Sequence, residues 1–109
     1  STLTACSNDY DFKYIFKRNF EAIKQSGDIL LTLSTSGNSK NIIEVLKCAK
    51  KNKIKSVSLL GMKGGLALKN SDYKILIQNN NPGRIQECHL LITHCLCDII
   101  DKQLFNNGE

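Results

Sequence analysis

Hydrophobic and polar positions follow two rhythms along this chain. Three short apolar runs, Ile29–Ser34, Ser56–Gly61 and Tyr73–Gln78, have strand length and are bounded by turn formers. Gly27-Asp28 precedes the first, Ser36-Gly37-Asn38 follows it, Gly61 closes the second, and Ser71-Asp72 precedes the third. Helical spacing appears elsewhere: in Tyr14, Ile15, Phe16, Phe20 and Ile23, and again in Ile42, Ile43, Val45, Leu46 and Ala49. Such alternation, with near-continuously apolar strands, predicts an α/β fold with a parallel sheet sandwiched by helices. After Pro82-Gly83 the series Ile85, Cys88, Ile92, Cys95 and Ile99 steps by three and four, and Leu91, Leu96 and Ile100 widen its face. This predicts a long helix buried over most of its circumference, against the sheet on one side and another subunit on the other. Residues 104–109 are expected to form a flexible tail.

Three strands fall short of the about five or six usual in doubly wound sheets. The chain opens in a polar loop without an initiator Met, so the sheet is expected to be incomplete on its N-terminal side. The 109 residues form one domain at most. No apolar run approaches the ~20 residues of a membrane span, and the first residues lack the pattern of a secretory signal. The net charge of +5 is densest at Lys47, Lys50, Lys51, Lys53 and Lys55. The first four fall where a helix ends, a place cations favour. No aromatic residues interleave with them to stack on bases, which argues against nucleic acid. Five cysteines without a C-x-x-C pattern read as reduced, mostly buried thiols in a cytoplasmic protein.

The chemistry concentrates in Ser34-Thr35-Ser36-Gly37-Asn38-Ser39, where the first strand gives way to a helix. Open α/β sheets bind ligands at the carboxyl ends of their strands. The helix start adds unsatisfied N–H groups and a positive dipole end, which suit a phosphate. A cap at Ser39 needs one hydroxyl, and this segment holds four. The phosphate-loop pattern G-x-x-x-x-G-K-[ST] is absent. Gly61-Met62-Lys63-Gly64-Gly65 reads as a plain strand-to-helix turn. His94 sits on the polar stripe of the last helix, opposite the Ile85–Ile92–Ile99 seam. A histidine there serves as a proton shuttle, a metal ligand or simply a hydrogen-bonded side chain. His89, on the apolar side, is the weaker candidate. Gln86 lies eight residues before His94, ~12 Å along the axis and ~80° around it. The two share a zinc only if both side chains reach fully toward each other. Asn8-Asp9 fits either an Asx-type turn or a ligand contact.

Taken together, LTACSNDYDFKYIF, GDILLTLSTSGNSKNIIEVLKCAK, SVSLLGMKGG and RIQECHLLITHCL resemble the sugar isomerase (SIS) family, from about Leu3 to Asp101. Within it they are most similar to the isomerases of seven-carbon sugar phosphates. The resemblance implies a flavodoxin-like α/β sandwich, with this chain as the C-terminal portion of a single SIS domain. It also implies a cytoplasmic homotetramer with sites between subunits, binding neither nucleic acid nor membrane. The implied reaction interconverts sedoheptulose 7-phosphate and D-glycero-D-manno-heptose 7-phosphate, an aldose–ketose exchange on the way to ADP-heptose for lipopolysaccharide or capsule. By position, Ser34, Thr35, Ser36 and Ser39 would bind the phosphosugar and Asn8 and Asp9 the sugar. Gln86 would contact substrate and one zinc, and His94 would bind that zinc or move the proton. The family's G-N-G-G-S turn and H-x3-E helix, with its catalytic glutamate, have no match here. The 109 residues alone are therefore expected to be inactive and to fold poorly. The competing expectation is a non-catalytic relative that senses a phosphosugar or associates with a replication initiator.

Overall fold

The computed structural model describes residues 14–106. Helix α1 (Ile15–Ile23) leads into strand β1 (Ile29–Ser34). Helix α2 (Lys40–Lys51), strand β2 (Lys55–Gly61) and the short helix α3 (Ala67–Asn70) follow. Strand β3 (Tyr73–Ile77) and the long helix α4 (Pro82–Asn106) complete the order. The three strands are parallel in the order β1-β2-β3, with Thr32 opposite Ser58 and Leu60 opposite Leu76. The predicted strands are thus present within one residue at each end. The short α3 was not legible in the periodicity, because one helical turn is too brief to show a repeat.

One sheet face is covered by α2, whose apolar stripe at i, i+3 and i+4 puts Ile42, Ile43, Val45, Leu46, Cys48 and Ala49 in the core. They pack with Leu30, Leu60, Leu76 and Ala67 in one cluster, and with Phe20 of α1 and Ile54 in its neighbour. The C-terminus of α2 is closed by two means: Asn52 Nδ2 donates to the Cys48 carbonyl at 2.8 Å, and Ile54 N–H donates to the Ala49 carbonyl at 2.9 Å. The chain leaves through Lys53 at φ 59°, a left-handed position that favours glycine. Replacing Lys53 with Gly relieves that left-handed strain and gives back part of it as unfolded-chain entropy, so stability is expected to rise by about 0.5–1 kcal/mol, read as a higher urea midpoint.

Polar residues are buried on the same face, and their protons can be traced. The Ser71 hydroxyl donates to the Ala67 carbonyl at 2.7 Å. Its single proton is thereby used, so Ser58 must donate to Ser71, and Thr32 in turn donates to Ser58 at 2.7 Å. This relay ties β1 and β2 to α3. Asp72 adds a second tie, accepting from Ser56 N–H at 2.9 Å while its own N–H donates to Ser56 Oγ at 3.1 Å.

Helix α4 lies on the other face. Its Ile85 stands against Gly61, where a Cβ would meet the Ile85 side chain at 2.5 Å. Burial over most of the circumference does not occur: among the described residues of α4, Ile85 and His89 are the buried ones. The reason is geometric. A helix of 25 residues runs ~37 Å, and it meets chiefly the central strand β2. Leu31, Leu33 and Ile75 beside it, and Leu91, Ile99, Leu104 and Phe105 along it, remain exposed. Helix α4 also continues through residues 104–106, the start of the predicted tail.

The expectation of mostly buried thiols changes as well. Cys48 is buried and Cys88 half-buried, but Cys95 and Cys97 are exposed on α4, and all four are free thiols. Burial, reinforced by the Glu21 carboxylate, pushes the Cys48 thiol above its ordinary value, so it is the least reactive kind of thiol.

Candidate functional site

The β1–α2 junction is a tight turn held by its own side chains. Ser34 Oγ accepts from Gly37 N–H at 2.9 Å, and Ser36 Oγ accepts from Asn38 N–H at 3.1 Å. Gly37 stands at φ 71°. A Cβ there would run into the backbone carbonyl of Gly64, so the turn and the 61–65 loop are in direct backbone contact. Two further hydrogen bonds lock them: Ala67 N–H donates to the Gly37 carbonyl at 2.9 Å, and Leu66 N–H donates to Asn38 Oδ1 at 2.9 Å. The glycine-rich segment is therefore more than a connector, because it forms the wall that supports the hydroxyl loop. Two separate strand-to-helix turns become one rigid unit, and the hydroxyl relay beneath α3 anchors that unit to the sheet.

Ser39 occupies the N-cap position of α2, its carbonyl accepting from Ile43 N–H at 3.0 Å, yet its hydroxyl makes no cap hydrogen bond. The first turn of α2 contains no acidic residue, and Lys40 opens it. Thr35 and Ser39 hydroxyls form no hydrogen bond to another described residue. They line a cleft of about 590 Å³ with Leu33, Ser34, Gln86, His89, Leu90 and Thr93. Hydroxyls without a partner among the described residues, beside a helix start whose Ile42 N–H is taken by Asn41 Oδ1 at 2.9 Å but whose dipole end stays positive, are suited to an anion.

The cleft unites Ser34, Thr35 and Ser39 with Gln86, which α4 carries across from the other side of the sheet. Ser36 is not among its lining residues, because its hydroxyl is turned to the Asn38 amide. His94 is exposed on α4 one turn beyond Leu90 and does not line the cleft. Asn8 and Asp9 lie outside the described residues. Among the described residues no three His, Cys, Asp or Glu side chains converge as metal ligands. Gln86 and His94 alone give two donors where a tetrahedral zinc needs four, so the described residues do not by themselves make a zinc site.

The structure adds a residue that periodicity ranked low. His89 is 3% exposed, and its Nε2 lies 2.9 Å from the Leu60 carbonyl. Thr93 Oγ1 donates to the His89 carbonyl at 2.8 Å. The apolar stripe hid His89, because a helical wheel does not reveal which apolar-facing residue meets a strand end rather than the core.

A glycine-backed hydroxyl loop at the carboxyl end of a parallel strand places this chain among the α/β domains that bind ligands at that end of the sheet. The SIS domain family model matches residues 1–61, and the chain belongs to that family. It is 46% identical over 108 residues to the phosphoheptose isomerase of Sulfurimonas denitrificans, covering 99% of this chain and 55% of that protein. It is 49% identical over 105 residues to the one from Leptospira biflexa, covering 96% of this chain and 54% of that protein. The chain thus spans about half the length of the curated relatives it matches. Among solved structures, a phosphoheptose isomerase from Francisella tularensis superposes with a TM-score of 0.88 at 39% identity, over 93% of this chain and 55% of that one. The Neisseria gonorrhoeae enzyme gives 0.86 at 37%, over 91% and 56%.

Proposed function

We propose that this chain carries the phosphosugar-binding half of a phosphoheptose isomerase site, acting on sedoheptulose 7-phosphate and its aldose isomer. The observation that supports this most directly is the cleft in which the Thr35 and Ser39 hydroxyls face Gln86 of α4. The phosphate end is gripped by Thr35, Ser39 and the first N–H groups of α2, and this grip needs no metal. Gln86 orients the sugar from the opposite wall. Aldose–ketose exchange moves a proton between C1 and C2 through an enediol, so a base must stand at those carbons. His94, the exposed imidazole on the same helix, is assigned that proton transfer. If a zinc is held there, Gln86 and His94 would supply two of its ligands, His94 then serving as ligand in place of the base.

Apolar side chains stay exposed along α4, from Leu90 at 57% to Phe105 at 72%, and they point in several directions around its axis, as suits a helix contacted by more than one neighbour. We assign them to contacts between copies in a homotetramer. A phosphorylated sugar does not cross membranes, and no helix among the described residues is long and apolar enough to span one. The cytoplasm is accordingly the assigned location, with the product entering ADP-heptose synthesis.

Incubating the full-length protein with sedoheptulose 7-phosphate, with and without added zinc, is expected to yield the aldose. Binding without turnover selects a phosphosugar sensor instead. Absence of binding overturns the reading of the cleft.

A further inference from the structure

We propose that His89 is a substrate-contacting residue, offering Nδ1 as a hydrogen-bond acceptor to a hydroxyl of the bound sugar phosphate. The proposal rests on the phosphosugar reading of the cleft and goes beyond it by giving the cleft a polarity.

The Leu60 carbonyl can only accept, so the ring nitrogen 2.9 Å from it, Nε2, must carry a proton. In the neutral ring this leaves Nδ1 with a lone pair. Nδ1 makes no hydrogen bond to another described residue. Yet among the described residues no buried side-chain nitrogen or oxygen lacks a partner. Nδ1 therefore keeps accessible surface, and the surface that His89 lines is the cleft. Leu60 is fully buried near the end of the central strand, so the ring is held against the hydrogen-bonded middle of the sheet.

Thr93 has the same bias. Its hydroxyl proton is used on the His89 carbonyl at 2.8 Å, which leaves its oxygen lone pairs for the cleft. One wall thus offers donors, at Ser39 and the start of α2, and the α4 wall offers acceptors, at His89 and Thr93. A phosphate at neutral pH needs donors, whereas a sugar chain brings hydroxyl protons that need acceptors. The two walls match the two ends of one molecule. Inorganic phosphate would satisfy the first wall and leave the second unused.

The test is side-chain and backbone nitrogen NMR of the full chain. The free protein is expected to show His89 as the Nε2–H tautomer. Inorganic phosphate is expected to shift the amides of Ser39 and Lys40 but not His89 Nδ1, and sedoheptulose 7-phosphate to shift both. His89→Gln keeps a donor for Leu60 and has no acceptor at the Nδ1 position. It is expected to leave phosphate affinity unchanged and to weaken sugar-phosphate binding about tenfold, the worth of one hydrogen bond. His89→Asn, which abandons the Leu60 carbonyl, is expected to lower the melting temperature. A protonated Nδ1 in the free protein would sink the proposal. So would a silent His89 while sugar phosphate moves the loop amides, or an equal loss of affinity for both ligands in His89→Gln. If neither ligand moves the amides of Ser39 and Lys40, the reading of the cleft fails and this proposal fails with it.

Discussion

Gly37→Ala is expected to dismantle the hydroxyl loop. The residue stands at φ 71°, a conformation that costs an L-residue about 1–3 kcal/mol. The added methyl would also overlap the Gly64 carbonyl. That neighbour is backbone, held in place by the bonds from Ala67 N–H to Gly37 and from Leu66 N–H to Asn38. It cannot turn aside as a side chain would, so the overlap adds about 1–3 kcal/mol. The total, about 2–6 kcal/mol, is a large fraction of a small domain's stability. Urea unfolding with paired amide exchange checks it. The loss should appear first as faster exchange at Gly37 and Ala67, whose N–H groups close the turn and its support. A variant as stable as the parent, with those amides still protected, would show that the two loops are not in the contact described.

Thr35→Val combined with Ser39→Ala is expected to do the opposite: leave stability nearly unchanged and remove most of the affinity for sugar phosphate. Neither hydroxyl is hydrogen-bonded to another described residue, and Ser39 makes no cap bond, so folding loses little when they go. Hydrogen bonds to a charged ligand are worth about 1.5–3 kcal/mol each. Losing two should weaken binding by roughly a hundredfold or more. Isothermal titration with sedoheptulose 7-phosphate measures the affinity, and thermal melting in the absence of ligand controls for the fold. Ser34→Ala is the contrasting control. Its oxygen holds Gly37 N–H at 2.9 Å, so that variant should lose stability. Undiminished affinity in the double variant would reduce the loop to a structural turn.

How far the site was legible in the sequence differs by residue. Ser34, Thr35 and Ser39 were found because strand end, hydroxyls and helix start are contiguous in the chain. Gln86 came from the family resemblance, and its place opposite the loop required the path of α4 across β2. His89 looked like core because it shares the apolar stripe with Ile85 and Ile92. Its role depends on the Leu60 carbonyl, 29 residues away. The 61–65 loop looked like a connector because its glycines match no ligand-binding pattern. What those glycines permit is close approach to another backbone, and composition does not record the other backbone's position.

Local chain chemistry by itself determined the three strands, the amphipathic α2, the turn at Gly37 and the hydroxyls displayed there. Each depends on neighbours within a few residues, where side-chain period and allowed backbone angles act directly. The tertiary structure alone decided which hydroxyls remain free, which glycines touch, and which imidazole meets a strand end. Those outcomes depend on groups that the parallel register brings together from distant parts of the chain. Packing at such contacts is set by distances of a few tenths of an ångström, and no one-dimensional pattern carries them.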